Sequence, residues 1–306
     1  MSSGSFFQIS ADEVDSSSVE YINASQYTST DSVDGVSNGN NKDVENISIK
    51  PLEFTPTRIR SYSKKDGVND SKFDPREKGY MTGVRDQESL GICWTFAGNA
   101  TLESFLKLKG YGDFDLSEEH MRWWAKDNVY GWNIGDTQGS TNETSIGYFT
   151  SWLGPKLEKD IPYNGRVTRE NGAKKPANYD SASRLPYNVT GVINVAADKT
   201  SVKNAVLKYG AVMSGYYDDK KYLSTDSNSY YLNEKLGQNH AITIVGWDDN
   251  YSVDKFNGAA KPGSKGAWLV KNSWGDYNSE HGYMWISYED KNILSYTDNY
   301  SITEVK

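Results

Sequence analysis

Apolar residues recur at helical spacing in the first part of the compact chain and as β-rich runs in the second. Phe96, Ala97, Ala100, Leu102, Phe105, Leu106 and Leu108 form a wide apolar stripe that ends at Gly110, so the spacing predicts a helix over Cys93 to Lys109. A second helix is expected after Leu116-Ser117-Glu118-Glu119-His120. Ser117 serves as its N-cap, and the two acids of the first turn suit the positive end of the helix dipole. Thr144 to Leu153 reads as a third helix, closed by Gly154-Pro155, and residues 198–209 as a fourth. The pattern then changes. Tyr230-Tyr231-Leu232, Ala241 to Val245, Ala267 to Lys271 and Tyr283 to Tyr288 are strand-like runs bounded by Gly, Asn and Asp. Helices first and an antiparallel sheet second imply an α+β fold of two lobes. The compact part is expected to start near Phe73-Asp74-Pro75.

Composition narrows the partners. Lys and Arg total 33 against 41 Asp and Glu, and 33 − 41 = −8 argues against a nucleic-acid partner, which calls for a basic stripe. No apolar run approaches the roughly 20 residues of a membrane span. Residues 1–7 lack the basic region and apolar core of a signal peptide, so the start reads as the trimmed end of a longer chain. Residues 1–47, rich in Ser, Asn, Asp and Gly, are expected to form a disordered tail, because they carry too little apolar surface to offset ordering. Aromatic residues make up 13% of the chain, a weak pointer to a grip on extended polar ligands.

The one cysteine, Cys93, excludes a disulfide scaffold and leaves two readings: an inert buried thiol or a reactive one. A reactive thiol needs a positive field and a base. The start of the predicted helix supplies the field. Of three histidines, His120 lies in a Glu-rich first turn and reads as a surface or packing residue, while His281 precedes Gly282 in a polar loop. His240 opens a rigid apolar strand, 240 − 93 = 147 residues beyond the thiol, and is the candidate base. Asn272, in Lys271-Asn272-Ser273-Trp274-Gly275, offers an amide oxygen to orient the imidazole, and Trp274 a roof over that bond. Gln87, six positions before Cys93, is placed to donate to an oxyanion beside the Cys93 N–H. One Cys and three scattered His give no zinc-ligand spacing, and no metal or cofactor is expected.

Gln87-x5-Cys93-Trp94-x-Phe96, Asn239-His240-Ala241 and Lys271-Asn272-Ser273-Trp274-Gly275 resemble the papain-like cysteine peptidases over about Phe73 to Tyr288. The resemblance implies a helical N-terminal lobe over about 90–190 and an antiparallel sheet or barrel over about 191–306, with the active site in the cleft between them. Cys93 would be the nucleophile, His240 the general base and acid, Asn272 the orienter and Gln87 the oxyanion donor. Gly139-Ser140 stands where the family has Gly-Gly lining the non-primed cleft, and Gly91 and Ala241 fall near the scissile bond. Gly215 and Tyr216 are further wall candidates, and Trp274 is counted with the substrate-binding residues. Leu90 replaces the family's cysteine three positions before the nucleophile and Trp132 its disulfide partner, so packing must replace that staple. Ile92 replaces a customary Ser or Ala and is expected to crowd the nucleophile.

A narrower match is to the clostridial cell-wall cysteine proteases. It is carried by Leu116 to Trp124, Gly154 to Tyr163 and Val245 to Tyr251. That group implies secretion to a bacterial cell surface, surface-layer precursor proteins as polypeptide substrates, and a zymogen. Residues 48–60 then read as a pro-segment for the cleft. Pro51 and Pro56 favour extended backbone there, and Arg58-Ile59-Arg60-Ser61 offers a place to clip it. Residues 61–306 would be the peptidase domain. Two alternatives belong to other classes: a non-catalytic surface-binding module that kept the fold, and a Cys-His acyl transferase. The Asn in a Ser-Trp-Gly setting disfavours the second.

Overall fold

The computed structural model describes residues 69–126, 132–296 and 298–306. The tail expected over 1–47 and the pro-segment expected over 48–60 lie outside the described residues, as does the Arg60-Ser61 clipping site.

The first lobe is built around α1 (Cys93–Leu108), with α2 (Glu118–Lys126) and α3 (Asn142–Thr150) packed on it. Every residue of α1 from Cys93 to Leu106 is buried, polar ones included, because the helix packs on α2 and α3 and also on the sheet of the second lobe. Three of its interior polar side chains find backbone partners: Asn99 Nδ2 donates to the Leu116 carbonyl at 3.0 Å, and Thr101 and Ser104 donate back to Ala97 and Ala100 at 2.8 and 2.6 Å. Ser117 caps α2, its Oγ accepting from the His120 N–H at 3.0 Å. The third helix starts earlier and ends earlier than Thr144–Leu153, since Trp152, at φ +59°, leaves helical geometry before Gly154.

The second lobe is one open sheet. Its strands are β1 (Lys72–Phe73), β2 (Val189–Asn194), β3 (Val212–Tyr216), β4 (Leu223–Ser224), β5 (Ser229–Tyr230), β6 (His240–Asp248), β7 (Ala267–Lys271), β8 (Tyr283–Ser287) and β9 (Tyr300–Val305). They run in the order β2-β9-β3-β6-β7-β8-β5-β4, with β1 added to β6. The sheet therefore does not close into a barrel. It is also not wholly antiparallel, because β5 pairs with β8 in parallel. A fourth helix, α4 (Lys199–Tyr209), begins at Asp198, whose carboxylate accepts the Ser201 N–H at 2.9 Å, and packs on β6 and β3. Strands β3, β7 and β8 are buried throughout. Trp94, Trp247 and Trp268 are fully buried, and such side chains each contribute roughly 2–3 kcal/mol of transfer free energy to the core.

Two registers matter for the site. Tyr216 of β3 pairs with His240, the first residue of β6. Thr243 of β6 pairs with Lys271, the last of β7, so His240 and Asn272 leave the sheet on the same edge, the one that packs on α1.

Candidate active site

Cys93 is the first residue of α1, and no side chain caps that helix end. The Trp94 N–H points at the sulfur instead, and the Ala241 N–H approaches Sγ at 3.3 Å. His240 and the thiol are within side-chain hydrogen-bonding reach. The His240 Nε2 sits 2.8 Å from Asn272 Oδ1, which leaves Nδ1 as the ring nitrogen for sulfur. Burial alone would raise the thiol's pKa and lower the imidazole's. The two groups' mutual hydrogen bond and attraction outweigh that, so Cys93 is pushed down and His240 up. Asn272 and the charge of Asp218 add to the rise at His240. The arrangement favours a thiolate and an imidazolium over two neutral groups, and both residues keep 8% exposure.

The imidazole is clamped. Trp274 lies over it with ring centroids 4.9 Å apart, and Tyr216 meets it edge-on at 5.7 Å. Tyr216 is 0% exposed and its hydroxyl bonds Asp218 at 3.0 Å, so it supports the base from below and is not a cleft wall. Asn272 is held in turn, its Oδ1 also accepting the Ser273 N–H at 2.8 Å.

Gln87 approaches from the other lobe. Its N–H donates to the Ser273 carbonyl at 2.7 Å and the Gly275 N–H to Arg85 at 2.9 Å, a short ladder between the two segments. Ser273 Oγ donates to Gln87 Oε1 at 2.6 Å, and the Gln87 amide nitrogen donates one hydrogen to the Leu90 carbonyl at 2.9 Å, leaving its second for a ligand. Ser273 and Tyr163, whose hydroxyl bonds the Gln87 carbonyl at 2.7 Å, are supports that sequence reasoning passed over. Ser273 stood inside the quoted motif; Tyr163 gave no local signal.

The remaining expected residues fall as follows. Ala241 adjoins the sulfur, and Gly215 sits in β3 opposite it. Gly91 is half-buried ahead of α1, and Gly139, at φ +71°, has open space where a side chain would be. Ser140 bonds Thr144 at 2.6 Å at the start of α3. Ile92 is 1% exposed and packs into the core, so it does not crowd the cleft. His120 is a packing residue: it is 2% exposed, stacks on Tyr179 at 4.1 Å and bonds Tyr148 at 2.7 Å. His281 is exposed beside Asp276.

Trp274 also lines a groove of about 870 Å³, together with Leu223, Tyr277, Asp86, Glu88, Asp226 and Lys220. On the inner side of the site, a water-sized cavity of about 10 Å³ touches Asn272, Ser273, Glu103, Glu118 and Lys271. Burial pushes Glu103 and Glu118 up and Lys271 down to about 8. Thr82 bridges the set, donating to Glu103 at 2.6 Å and accepting from Lys271 at 2.8 Å.

Comparison with known proteins adds the following. The family model for "Papain family cysteine protease" matches residues 69–303. Cathepsin J of Mus musculus is 27% identical over 262 residues, 82% of this chain and 69% of that protein. Cysteine proteinase 1 of Entamoeba histolytica is 32% identical over 225 residues, 69% of this chain and 61% of that protein. Two solved structures of the clostridial cysteine protease Cwp84 are also similar. The structure after propeptide cleavage is 52% identical, with a TM-score of 0.74 over 77% of this chain and 58% of its own. The other holds the cysteine protease and lectin-like domains of this "surface layer associated protein of Clostridium difficile". It is 50% identical, with a TM-score of 0.77 over 83% of this chain and 54% of its own. The chain thus spans little more than half the length of those two chains.

Proposed function

The chain belongs to the papain family of cysteine proteases and has the papain-like two-lobed fold; from that premise we propose that it is an endopeptidase working through Cys93, His240 and Asn272. The thiolate of Cys93 attacks the carbonyl carbon of the scissile peptide. The resulting oxyanion is held by the Cys93 N–H and the free hydrogen of the Gln87 amide. His240 then gives its proton to the departing amine as the C–N bond breaks, leaving a thioester on Cys93. Water attacks the thioester, His240 takes the proton, and the acid product and thiolate are released. Because His240 serves the leaving amine, the residues after the scissile bond depart over Trp274 into the acidic groove, while those before it lie along Gly139-Ser140 and Gly91. The observation that carries this reading is the 2.8 Å His240–Asn272 contact at the end of β6, where the neighbouring Ala241 N–H meets Cys93 Sγ at 3.3 Å.

The likeness to Cwp84 supports surface-layer proteins as substrates and a secreted, cell-surface enzyme made as a zymogen with residues 48–60 as pro-segment. Cys93→Ala is expected to abolish both peptide cleavage and labelling by an epoxysuccinyl inhibitor. A folded wild-type protein, trimmed of residues 1–60, that neither cleaves nor labels would overturn the enzyme reading. Equal activity of full-length and trimmed protein would overturn the zymogen reading alone.

A further inference from the structure

One buried ionic cluster has no part in the chemistry above. Arg122, on α2, is 0% exposed along its side chain, and all five of its N–H groups are engaged. Nε and Nη2 grip the Asp136 carboxylate at 2.9 Å each. Nη1 reaches Glu119 and the Asn164 carbonyl at 2.9 Å, and Nη2 also reaches the Val167 carbonyl at 3.0 Å. Asp136, 0% exposed, is held from its other side by Arg169: Nη2 lies 2.6 Å from Oδ1, and the Arg169 backbone N–H donates to Oδ2 at 2.6 Å. Arg169 also donates to the carbonyls of Arg122 at 2.9 Å and Ile134 at 2.7 Å.

Two guanidiniums against Asp136 and Glu119 leave the cluster with no net charge. Burying such a set gains little stability over apolar packing, so what it fixes in space is the informative part. Asp136 also acts through its main chain. Its carbonyl accepts the Gly91 N–H at 2.8 Å, two residues ahead of Cys93. The next backbone unit closes on Gly91 so tightly that an added Cβ would meet the Thr137 carbonyl carbon and oxygen at 3.2 Å. From there the chain runs through Gln138 into Gly139-Ser140, and Ser140 is tied to Thr144 of α3.

We propose that Asp136 is a positioning residue: clamped by Arg122 and Arg169, it holds segment 136–140 against Gly91 and so sets the width of the channel for substrate residues before the scissile bond. The inference rests on the peptidase reading of Cys93, but Asp136 touches no reacting atom. Its loss should therefore affect the binding of long substrates and spare the thiolate–imidazolium pair.

The test is Asp136→Asn, which keeps one acceptor oxygen and leaves Arg122 and Arg169 facing Glu119 alone. Two substrates are compared, one with a single residue before the scissile bond and one with three. The long substrate should show a KM raised by about tenfold, the worth of one charge-assisted hydrogen bond, with kcat held. The short substrate should change by less than about threefold, and the pH profile of Cys93 alkylation should not move. An equal fall on both substrates, a displaced alkylation profile, or no change on either would overturn the proposal. If Asp136→Asn does not fold, Arg169→Lys keeps the positive charge and the backbone N–H bond to Asp136 but gives up the forked guanidinium contacts to the Asp136 carboxylate and the Ile134 carbonyl. It should give the same length-dependent rise in KM, and its absence would count equally against the idea. A wild type trimmed of residues 1–60 whose Cys93 resists alkylation would sink the peptidase reading; an alkylated wild type with length-independent variants sinks this proposal alone.

Discussion

Replacing Asn272 by Ala removes the acceptor that holds the His240 ring. The bond lost is 2.8 Å long, and its partners are 8% and 4% exposed, so water replaces it poorly. A buried hydrogen bond to a charged group contributes about 1.5–3 kcal/mol, or roughly 10- to 150-fold in kcat/KM. The ring does not become free, however. Trp274 covers its face and Tyr216 its edge, and both contacts survive the substitution. The loss should therefore fall at the low end, about 10- to 30-fold, read as kcat/KM on a fluorogenic peptide. The pH profile adds a second readout. The proposed ion pair would exist between the depressed pKa of Cys93 and the raised pKa of His240, and Asn272 is one cause of that rise. Its removal should pull the alkaline limb to lower pH and move the acid limb less. Activity within about threefold of wild type, with both limbs unmoved, would refute the reasoning.

Three further outcomes are expected. Ser273→Ala frees the Oε1 end of the Gln87 amide, a loss of about 1 kcal/mol that should lower kcat about fivefold at constant KM; a rise in KM alone would count against an oxyanion role for Gln87. His120 is held neutral in the fold, its pKa pushed down to about 3 by burial and by the charges of Lys156, Lys175 and Arg184. The unfolded chain takes up that proton as pH falls below the ordinary histidine value and the fold does not, so wild type loses stability from about pH 6.5 towards 3. His120→Gln, which gives up the Tyr148 bond, should be the less stable protein at pH 7, and its melting-temperature deficit should shrink by about pH 4.5; a constant deficit would contradict this. In the groove beside Trp274, three carboxylates outnumber Lys220, so peptides with Lys after the scissile bond should be cleaved roughly two- to fivefold better than those with Glu. Asp226→Lys should shrink that ratio, and an unchanged ratio would show that the groove does not read charge.

What could be read from the sequence was whatever local pattern encodes. Helix α1, the Ser117 cap, α4 and strands β6 to β8 each carry their signal within a dozen residues. The short strand β3 (Val212–Tyr216) was passed over because it is buried on both faces and contains Ser and Gly, so it shows no alternation. The pairing of β2 with β9 joins segments more than a hundred residues apart, which no local periodicity reports. The candidates at 93, 240, 272 and 87, which the structure brings together, could be picked out because the proposed chemistry demands particular side chains near helix and strand ends. Their supports were harder to see. Nothing about Tyr216, Tyr163 or Asp136 in isolation says that a ring, an amide or a loop leans on it. Leu90 and Trp132 illustrate the same limit. The first packs into the core at 2% exposure and the second stands 54% exposed, while the ties across that region come from the Arg122–Asp136–Arg169 cluster as well as packing.

The proposed ion pair is open to direct measurement through the rate of Cys93 carboxymethylation by iodoacetate across pH, followed by mass spectrometry in wild type trimmed of residues 1–60 and in its His240→Ala variant. Rapid labelling in wild type that persists far below the pH at which an ordinary thiol ionises, and its collapse in the variant, is the predicted result. A wild-type profile that rises only around pH 8–9, as for a free thiol, and matches that of the variant would contradict the account.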